Sequence, residues 1–188
     1  MKTFLISLFV LLTASALTAD EYDFRKTRWG MSKEEVKLTE DNEPAYEESD
    51  FFGYENEIAG MDCYVIYVFT SDKLVRTKYS FIHEHANRTD YIQDYQELKE
   101  ILTKKYGQPV RDDQVWKNDL YRDNSSEWGM AVAVGHLVYQ VRWATESTEI
   151  IIQLAGDNFD ITLAIEYRSK NLRELEEKAK EEELMEAL

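Results

Sequence analysis

Apolar and polar residues alternate through three consecutive segments in the last third of the chain, which predicts three β-strands. The segments are Leu137–Thr145, Thr148–Ala155 and Phe159–Arg168, and Gly156-Asp157-Asn158 is typical of a hairpin turn between the last two. One phase is apolar: Leu137, Tyr139, Val141, Trp143, Ile150, Ile152, Leu154, Ile161, Leu163, Ile165 and Tyr167. The opposite phase is polar: Gln140, Arg142, Glu149, Gln153, Thr162, Glu166 and Arg168. This alternation predicts an antiparallel meander with one covered and one open face.

A second run of strand-like segments occupies the first half of the chain. The segments are Ala45–Glu48, Phe51–Ile58, Asp62–Thr70 and Leu74–His83. Ser71-Asp72-Lys73 predicts a tight turn before the last of them. Within Leu74–His83, Arg76 and Lys78 fall in the polar phase. This half is therefore also predicted to form a meander.

Helical spacing is clearest in the middle of the chain. Tyr91, Tyr95, Leu98, Ile101, Leu102 and Tyr106 recur on one side of a helix that Asp90 can cap. Gly107 suits the left-handed position after the last turn, and Pro109 prevents continuation. We expect Tyr95, Leu98 and Leu102 to face the sheet.

Two further helices are predicted near the ends of the chain. Ser32-Lys33-Glu34-Glu35 is a capping box, and it predicts a short helix from Lys33 to about Thr39. The Glu- and Lys-rich tail, residues 170–188, is also predicted to be helical. Between the meanders, Val110–Glu127 has no regular pattern, and Met130–Gly135 is compatible with either helix or strand.

These elements predict an α+β protein built from two helix-plus-antiparallel-meander units. Helices are expected on one face of the sheet, with an additional C-terminal helix. The expected divisions are a signal peptide at 1–19, a first unit at 20–88, a second unit at 89–169 and an acidic C-terminal helix at 170–188.

The beginning of the chain has the order of a secretory signal. Lys2 is followed by an apolar run from Phe4 to Leu12 and by small residues up to Ala19, where cleavage is favoured over Ala16. The run is too short to span a bilayer, which needs about 20 apolar residues. We therefore expect an extracytoplasmic protein, periplasmic or secreted, with no membrane span after signal removal.

Charge and cysteine content narrow the possible functions. The formal net charge is −15, and such a chain repels nucleic acid phosphates over its average surface, so no nucleic-acid partner is expected. Cys63 is the single cysteine, which excludes an internal disulfide. It lies within an apolar strand pattern, and this favours a buried, inert thiol over a nucleophile.

The opening segment carries a family resemblance. Phe24-Arg25-x-Thr27-x-Trp29-Gly30-Met31-Ser32-x-Glu34-Glu35-Val36 resembles the start of a family of uncharacterised exported bacterial proteins. Asp94-Tyr95-x-x-Leu98, Tyr106-Gly107-x-Pro109 and Gly156-Asp157-Asn158 extend the resemblance along the mature chain. More distantly, the helix-meander layout resembles the beta-lactamase inhibitory proteins and the SmpA/OmlA outer-membrane assembly lipoproteins. Both of these distant groups are binding modules rather than enzymes, but a likeness of layout does not carry function across, and the resemblance to the exported family supplies no catalytic residues.

Two kinds of candidate chemistry compete with binding. His83 and His85 would share one strand face, a spacing compatible with a metal site completed by Asp90 or His136, although exposed histidines at a strand end are favoured. A glycoside hydrolase would need two facing carboxylates. The adjacent pairs Glu47-Glu48 and Asp112-Asp113 are instead typical of solvated loops.

The candidate binding residues fall into two groups. Trp116 and Trp128 border the irregular passage and could present a ligand surface, although structural packing is the favoured interpretation. Arg76, Lys78, Arg142 and Arg168 would gather on one surface if both meanders turn their polar phases to the same side. The alternative is an ordinary solvated face on which Glu149 and Glu166 pair with the arginines.

The sequence favours a non-catalytic binding or protein-interaction module that needs no cofactor. Its partner would be an unknown extracytoplasmic protein or an anionic polymer. The alternatives are a cell-wall or carbohydrate hydrolase that uses loop carboxylates, and a metal-binding protein that uses His83 and His85.

Overall fold

The computed structural model describes residues 22–186, so the predicted signal peptide at 1–19 lies outside the described residues. Eight strands are present in this part of the chain: β1 (Tyr46–Glu47), β2 (Phe51–Ile58), β3 (Met61–Thr70), β4 (Lys73–Phe81), β5 (Arg111–Trp116), β6 (Leu137–Ala144), β7 (Thr148–Asp157) and β8 (Asp160–Ser169). The α-helices are α1 (Lys33–Lys37), α2 (Asp90–Tyr106), α3 (Trp128–Ala133) and α4 (Arg173–Glu186). The predicted α+β class is confirmed.

The strands form a single antiparallel sheet in the order β1-β2-β3-β4-β8-β7-β6-β5. The two meanders therefore share one sheet, and β4 joins β8 at the seam between them. Tight turns fix the register of the meanders. Ser71 and Asp72 both have positive φ (51° and 55°) between β3 and β4, and Asn158 and Phe159 do the same (49° and 73°) between β7 and β8.

The helix ends follow the local sequence signals. The capping box of α1 is confirmed, because the Ser32 side chain accepts from the Glu35 amide and the Glu35 carboxylate accepts from the Ser32 amide. Helix α2 begins one residue earlier than the predicted Asp90 cap required: Thr89 is its N-cap, and Asp90 is its first residue. Asp90 cannot act as the cap there, but its carboxylate favours the positive end of the helix dipole. Gly107 follows the last turn with φ of 81°.

Helices α1, α2 and α3 cover the face of the sheet that we call the inner face. Tyr95, Leu98 and Leu102 of α2 are buried against it, as predicted. Trp143, Ile150 and the other apolar-phase residues of the second meander lie in the same core. Met130–Gly135 resolves as the end of α3 followed by a turn.

Cys63 belongs to this core and carries a free, buried thiol. Burial raises the pKa of the thiol to about 11. A thiol with a raised pKa is a poor nucleophile near neutral pH, because the thiolate is the reactive form. The structure therefore agrees with an inert thiol.

Helix α4 lies on the opposite face, which we call the outer face. Glu176 of α4 contacts Arg76 of β4, and Arg173 contacts Glu149 of β7. None of the residues of α4 is buried. The acidic tail is therefore a helix that rests on the sheet largely through charged side chains.

The predicted irregular passage contains one more strand. Arg111–Trp116 pairs with β6 and forms an edge of the sheet as β5. Its sequence, Arg-Asp-Asp-Gln-Val-Trp, lacks regular alternation of apolar residues. Tertiary pairing with β6 overrides this weak local preference, which is common for edge strands.

Candidate functional site

The four cationic residues that the sequence predicted to lie on one surface are all on the outer face. They belong to strands β4, β8 and β6. Arg76 of β4 is directly opposite Arg168 of β8, and Lys78 of β4 is opposite Glu166 of β8. Arg142 of β6 is separated from β8 by β7 alone. All four cationic side chains are half-buried. The strand phases in the two meanders therefore point the same way, as the binding hypothesis required.

Arg76 and Arg168 are balanced by carboxylates within the protein. Like charges that face each other across a strand pair destabilise the sheet. Glu166 contacts both guanidinium groups: its Oε1 lies 3.5 Å from Arg76 Nη1 and accepts a hydrogen bond from Arg168 Nε. Glu176 from α4 approaches Arg76 Nη2 at 3.1 Å. These two arginines therefore serve mainly to hold the seam and α4 together.

Lys78 and Arg142 are less engaged. The Oε1 atom of Gln140 accepts hydrogen bonds from Arg142 Nε at 3.1 Å and from Arg142 Nη2 at 2.9 Å. The nearest carboxylate to Arg142 is that of Glu149, at 3.9 Å. Lys78 makes no ion pair with any residue in 22–186. These two cations are therefore available to an external anion, and Gln140 fixes the orientation of one of them.

A shallow depression of about 150 Å³ lies between these groups. Its lining includes Lys78, Gln140 and Arg142, and Ile151 contributes an apolar surface. Glu166 also lines it, so the site is not uniformly positive. An anionic group would be held on one side, near Lys78 and the guanidinium of Arg142, because opposite charges attract most strongly at short distance.

The predicted tryptophan surface lies on the other face of the sheet. Trp116 of β5 and Trp128 of α3 contact each other edge to face, with ring centroids 5.8 Å apart. Both pack against the core, and Trp128 Nε1 donates to the carbonyl oxygen of Arg122 at 3.1 Å. The structure brings the two rings together but does not bring them near the outer-face cations, and their contacts are those of packing residues.

The predicted histidine pair lies just after β4. The rings of His83 and His85 are 4.7 Å apart, and His85 Nε2 is 2.6 Å from Asp94 Oδ2. Residues 22–186 contain no group of three His, Cys, Asp or Glu side chains placed to hold a metal ion, so neither Asp90 nor His136 completes the pair. His85 instead connects the end of β4 to α2.

The predicted carboxylate pairs lie at opposite edges of the sheet. Glu47 on β1 accepts a hydrogen bond from Lys37 at 2.8 Å, and this contact holds the pKa of the Glu47 carboxyl below its usual value. Asp112 on β5 pairs with Lys99 at 2.5 Å, and Asp113 pairs with Arg111. A hydrolase needs two carboxyls that face each other across a cleft. Glu47, Asp112 and Asp113 instead pair with cations at the sheet edges.

Sequence reasoning missed the residues that organise the outer face. Gln140 and Glu166 were recognisable as members of the polar phase, but strand phase does not show which side chains contact each other. Glu176 comes from α4, and nothing in the composition of that helix indicates which face of the sheet it contacts. The positions of Gln140 and Glu166 opposite Gln153 and Lys78 follow from the register, which the sequence alone left open.

The fold and the site define an α+β protein with one eight-stranded antiparallel sheet and a shallow charged surface site. None of the helices in residues 22–186 is long and apolar enough to cross a membrane. No protein-family model, curated protein or solved structure matches the chain. The resemblance to exported bacterial proteins therefore stays a prediction from the opening motif.

Proposed function

We propose that this protein is a non-catalytic binding module that acts outside the cytoplasm and engages an anionic partner through the outer face. The partner is an extracytoplasmic protein or an anionic polymer. The observation that carries the proposal is the pair Lys78 and Arg142. These two cations line one depression and have no close carboxylate partner, although the chain has a net charge of −15.

The local arrangement supports anion binding despite the acidic average. Gln140 holds the Arg142 guanidinium with two hydrogen bonds, which reduces the entropy lost when an anion binds. The side chain of Arg142 is 39 % exposed, so an incoming group can reach it. A preoriented guanidinium is the side chain best suited to a carboxylate, sulfate or phosphate, because it can donate two parallel hydrogen bonds.

The extracytoplasmic location rests on the sequence pattern of residues 1–19. The hydrolase and metal alternatives have less support from the geometry. Three of the four carboxylates in the predicted pairs, Glu47, Asp112 and Asp113, are engaged in ion pairs at the sheet edges. The histidine pair has no third ligand within the described residues.

The decisive experiment compares two double charge reversals of the same size. Lys78→Glu with Arg142→Glu alters the depression, and Lys104→Glu with Lys117→Glu alters two exposed lysines elsewhere. Binding of the full chain to dextran sulfate and to a poly-glutamate peptide is measured by calorimetry at low and at physiological salt. We expect the first variant to lose about tenfold or more in affinity for at least one probe, and the second to lose much less.

The salt dependence separates a local site from a general charge effect. The native chain should bind more weakly as salt increases, and this slope should become shallower in the Lys78/Arg142 variant because fewer ions are exchanged. Equal losses in the two variants would contradict the proposal, since both change the net charge by the same amount. Failure of the native chain to bind either probe would contradict it as well.

A further inference from the structure

A second concave site lies on the other side of the sheet from Lys78 and Arg142. It is a cleft of about 650 Å³ at the end of the inner face, where β4 meets β8. Tyr79 of β4, Tyr167 of β8 and Tyr106 at the end of α2 line it, together with Phe24 and the turn between β6 and β7. We call it the seam cleft. Its volume falls within the range of ligand pockets, about 300–1,000 Å³.

The walls of the seam cleft are fixed by hydrogen bonds between distant parts of the chain. Asp23 accepts from the Trp29 amide at 2.9 Å and from Ser147 Oγ at 2.5 Å. Trp29 Nε1 donates to Thr148 Oγ1 at 2.8 Å. The segment that contains Phe24 is thereby tied to the turn that forms the opposite wall. A cleft that exists before binding requires little reorganisation when a ligand enters.

The lining consists of aromatic rings and polar groups. No aliphatic side chain from residues 22–186 is among the lining residues. The ring of Phe24 packs against those of Tyr79 and Tyr167 with centroid separations of 5.2 and 4.8 Å. Burial raises the pKa of Tyr79 to about 12, so its hydroxyl stays protonated at neutral pH. The apolar surface of the cleft is therefore aromatic and lies beside hydroxyl and charged groups.

The charges that line the seam cleft balance one another. Two cations, Arg25 and Lys105, are matched by two carboxylates, Asp23 and Glu146. Arg25 is further compensated by Glu40, at 3.1 Å. On a chain of net charge −15 this is a neutral surface. A neutral lining does not favour a strongly charged ligand of either sign.

We propose that the seam cleft binds a neutral saccharide. The partly exposed rings of Tyr79 and Tyr106 can pack against the C–H face of a sugar ring, and this contact needs a flat apolar surface rather than aliphatic bulk. The side chain of Asn171 can donate to and accept from sugar hydroxyls, and the hydroxyl of Ser147, which donates to Asp23, can accept from them. The proposal does not depend on the anion site, because the two sites lie on opposite faces of the sheet.

The test is an NMR titration of the full chain with four probes. Maltotriose and N,N′,N″-triacetylchitotriose are the neutral saccharides, trigalacturonic acid is the acidic one, and trialanine represents a short peptide. We expect one neutral trisaccharide to shift the amide NMR signals of Tyr79, Tyr106 and Ser147. The dissociation constant should be about 1 mM, which is usual for a small open site. Tyr106→Ala should weaken binding about tenfold. Tyr64→Ala, a half-buried tyrosine on the outer face, should not.

Tyr106→Phe removes one hydroxyl with little change of shape, and it provides a second readout if Tyr106→Ala does not fold. We expect Tyr106→Phe to weaken binding several-fold. The absence of shifts in the cleft up to about 20 mM of both neutral probes would overturn the proposal. Tighter binding of trigalacturonic acid or of trialanine would also overturn it. Amide signal shifts confined to residues of the outer face would also overturn the proposal.

Discussion

The two faces of the sheet are built on different principles. On the inner face, Trp143, Ile150 and Ile152 are at most 1 % exposed and belong to a core that α1, α2 and α3 cover. On the outer face, half-buried cations are interspersed with carboxylates, and the helix that covers part of them has no buried residue. The inner face is stabilised by apolar burial, whereas the outer face carries a set of ion pairs among its strands and α4.

This difference separates stability from recognition. Burial of a large apolar side chain contributes about 1.5–3 kcal/mol, whereas an exposed ion pair contributes about 0–1 kcal/mol. Outer-face residues can therefore change with little effect on folding. Such a face is suited to binding, because its residues can be selected for a partner rather than for packing.

The largest expected effect is on the inner face. Leu98 is 1 % exposed and lies in the core, so Leu98→Ala leaves a cavity and should lower the free energy of unfolding by about 2–5 kcal/mol. Ile101, on the same helix, is 40 % exposed, and Ile101→Ala should cost less than about 1 kcal/mol. Urea denaturation measures both changes. Similar losses for the two variants would show that α2 does not pack as described.

A smaller effect, confined to alkaline solution, should also arise on the inner face. Burial raises the pKa of Cys63 from 9.0 to about 11 and that of Tyr139 from 10.0 to about 12. Each group therefore stays protonated up to a higher pH in the folded state than in the unfolded state. The stability that they contribute is complete below about pH 9 and is lost as the pH rises through the folded-state pKa values.

Unfolding free energies measured between pH 7.5 and the alkaline range should therefore decline. The decline should be less steep in Cys63→Ala and in Tyr139→Phe than in the native chain, once each is compared with its own value at neutral pH. Tyr22→Phe is the control, because that side chain is 48 % exposed. If neither Cys63→Ala nor Tyr139→Phe changes the alkaline decline in unfolding free energy, these two groups are not its source.

The inner face could be predicted from the sequence because its signals are periodic. The alternation in β6, β7 and β8 and the spacing of Tyr95, Leu98 and Leu102 each depend on neighbours a few residues away. Turn residues such as Ser71 and Asp72 then fix which strands are adjacent. The bounds of β2, Phe51–Ile58, agree with the predicted segment.

The candidate sites could be predicted only in part. Strand phase placed Arg76, Lys78, Arg142 and Arg168 on one face, but it did not show that Glu166 and α4 engage two of them. Strand β5 was missed because pairing at a sheet edge leaves little pattern in the strand itself. The seam cleft draws residues from five separate parts of the chain, and no local spacing connects them.

The smallest expected effect concerns the helix on the outer face. Helix α4 contacts the sheet through Arg76–Glu176 at 3.1 Å and Glu149–Arg173 at 3.1 Å. Salt at about 0.5 M screens such partly exposed pairs. We expect it to accelerate amide hydrogen exchange in α4 several-fold and to leave exchange in α2 nearly unchanged, since α2 is held by apolar burial.

A pair of substitutions identifies which ion pair holds α4 to the sheet. Arg76→Gln removes the contact with Glu176 and should raise α4 exchange at low salt toward its value at high salt, with a loss of global stability below about 1 kcal/mol. Lys178→Gln is the matched control, because Lys178 pairs within α4, with Glu182 at 3.6 Å. If α4 exchange is insensitive both to salt and to Arg76→Gln, its few apolar contacts hold it. The outer face would then depend on burial as the inner face does, and the contrast between the two faces would fail.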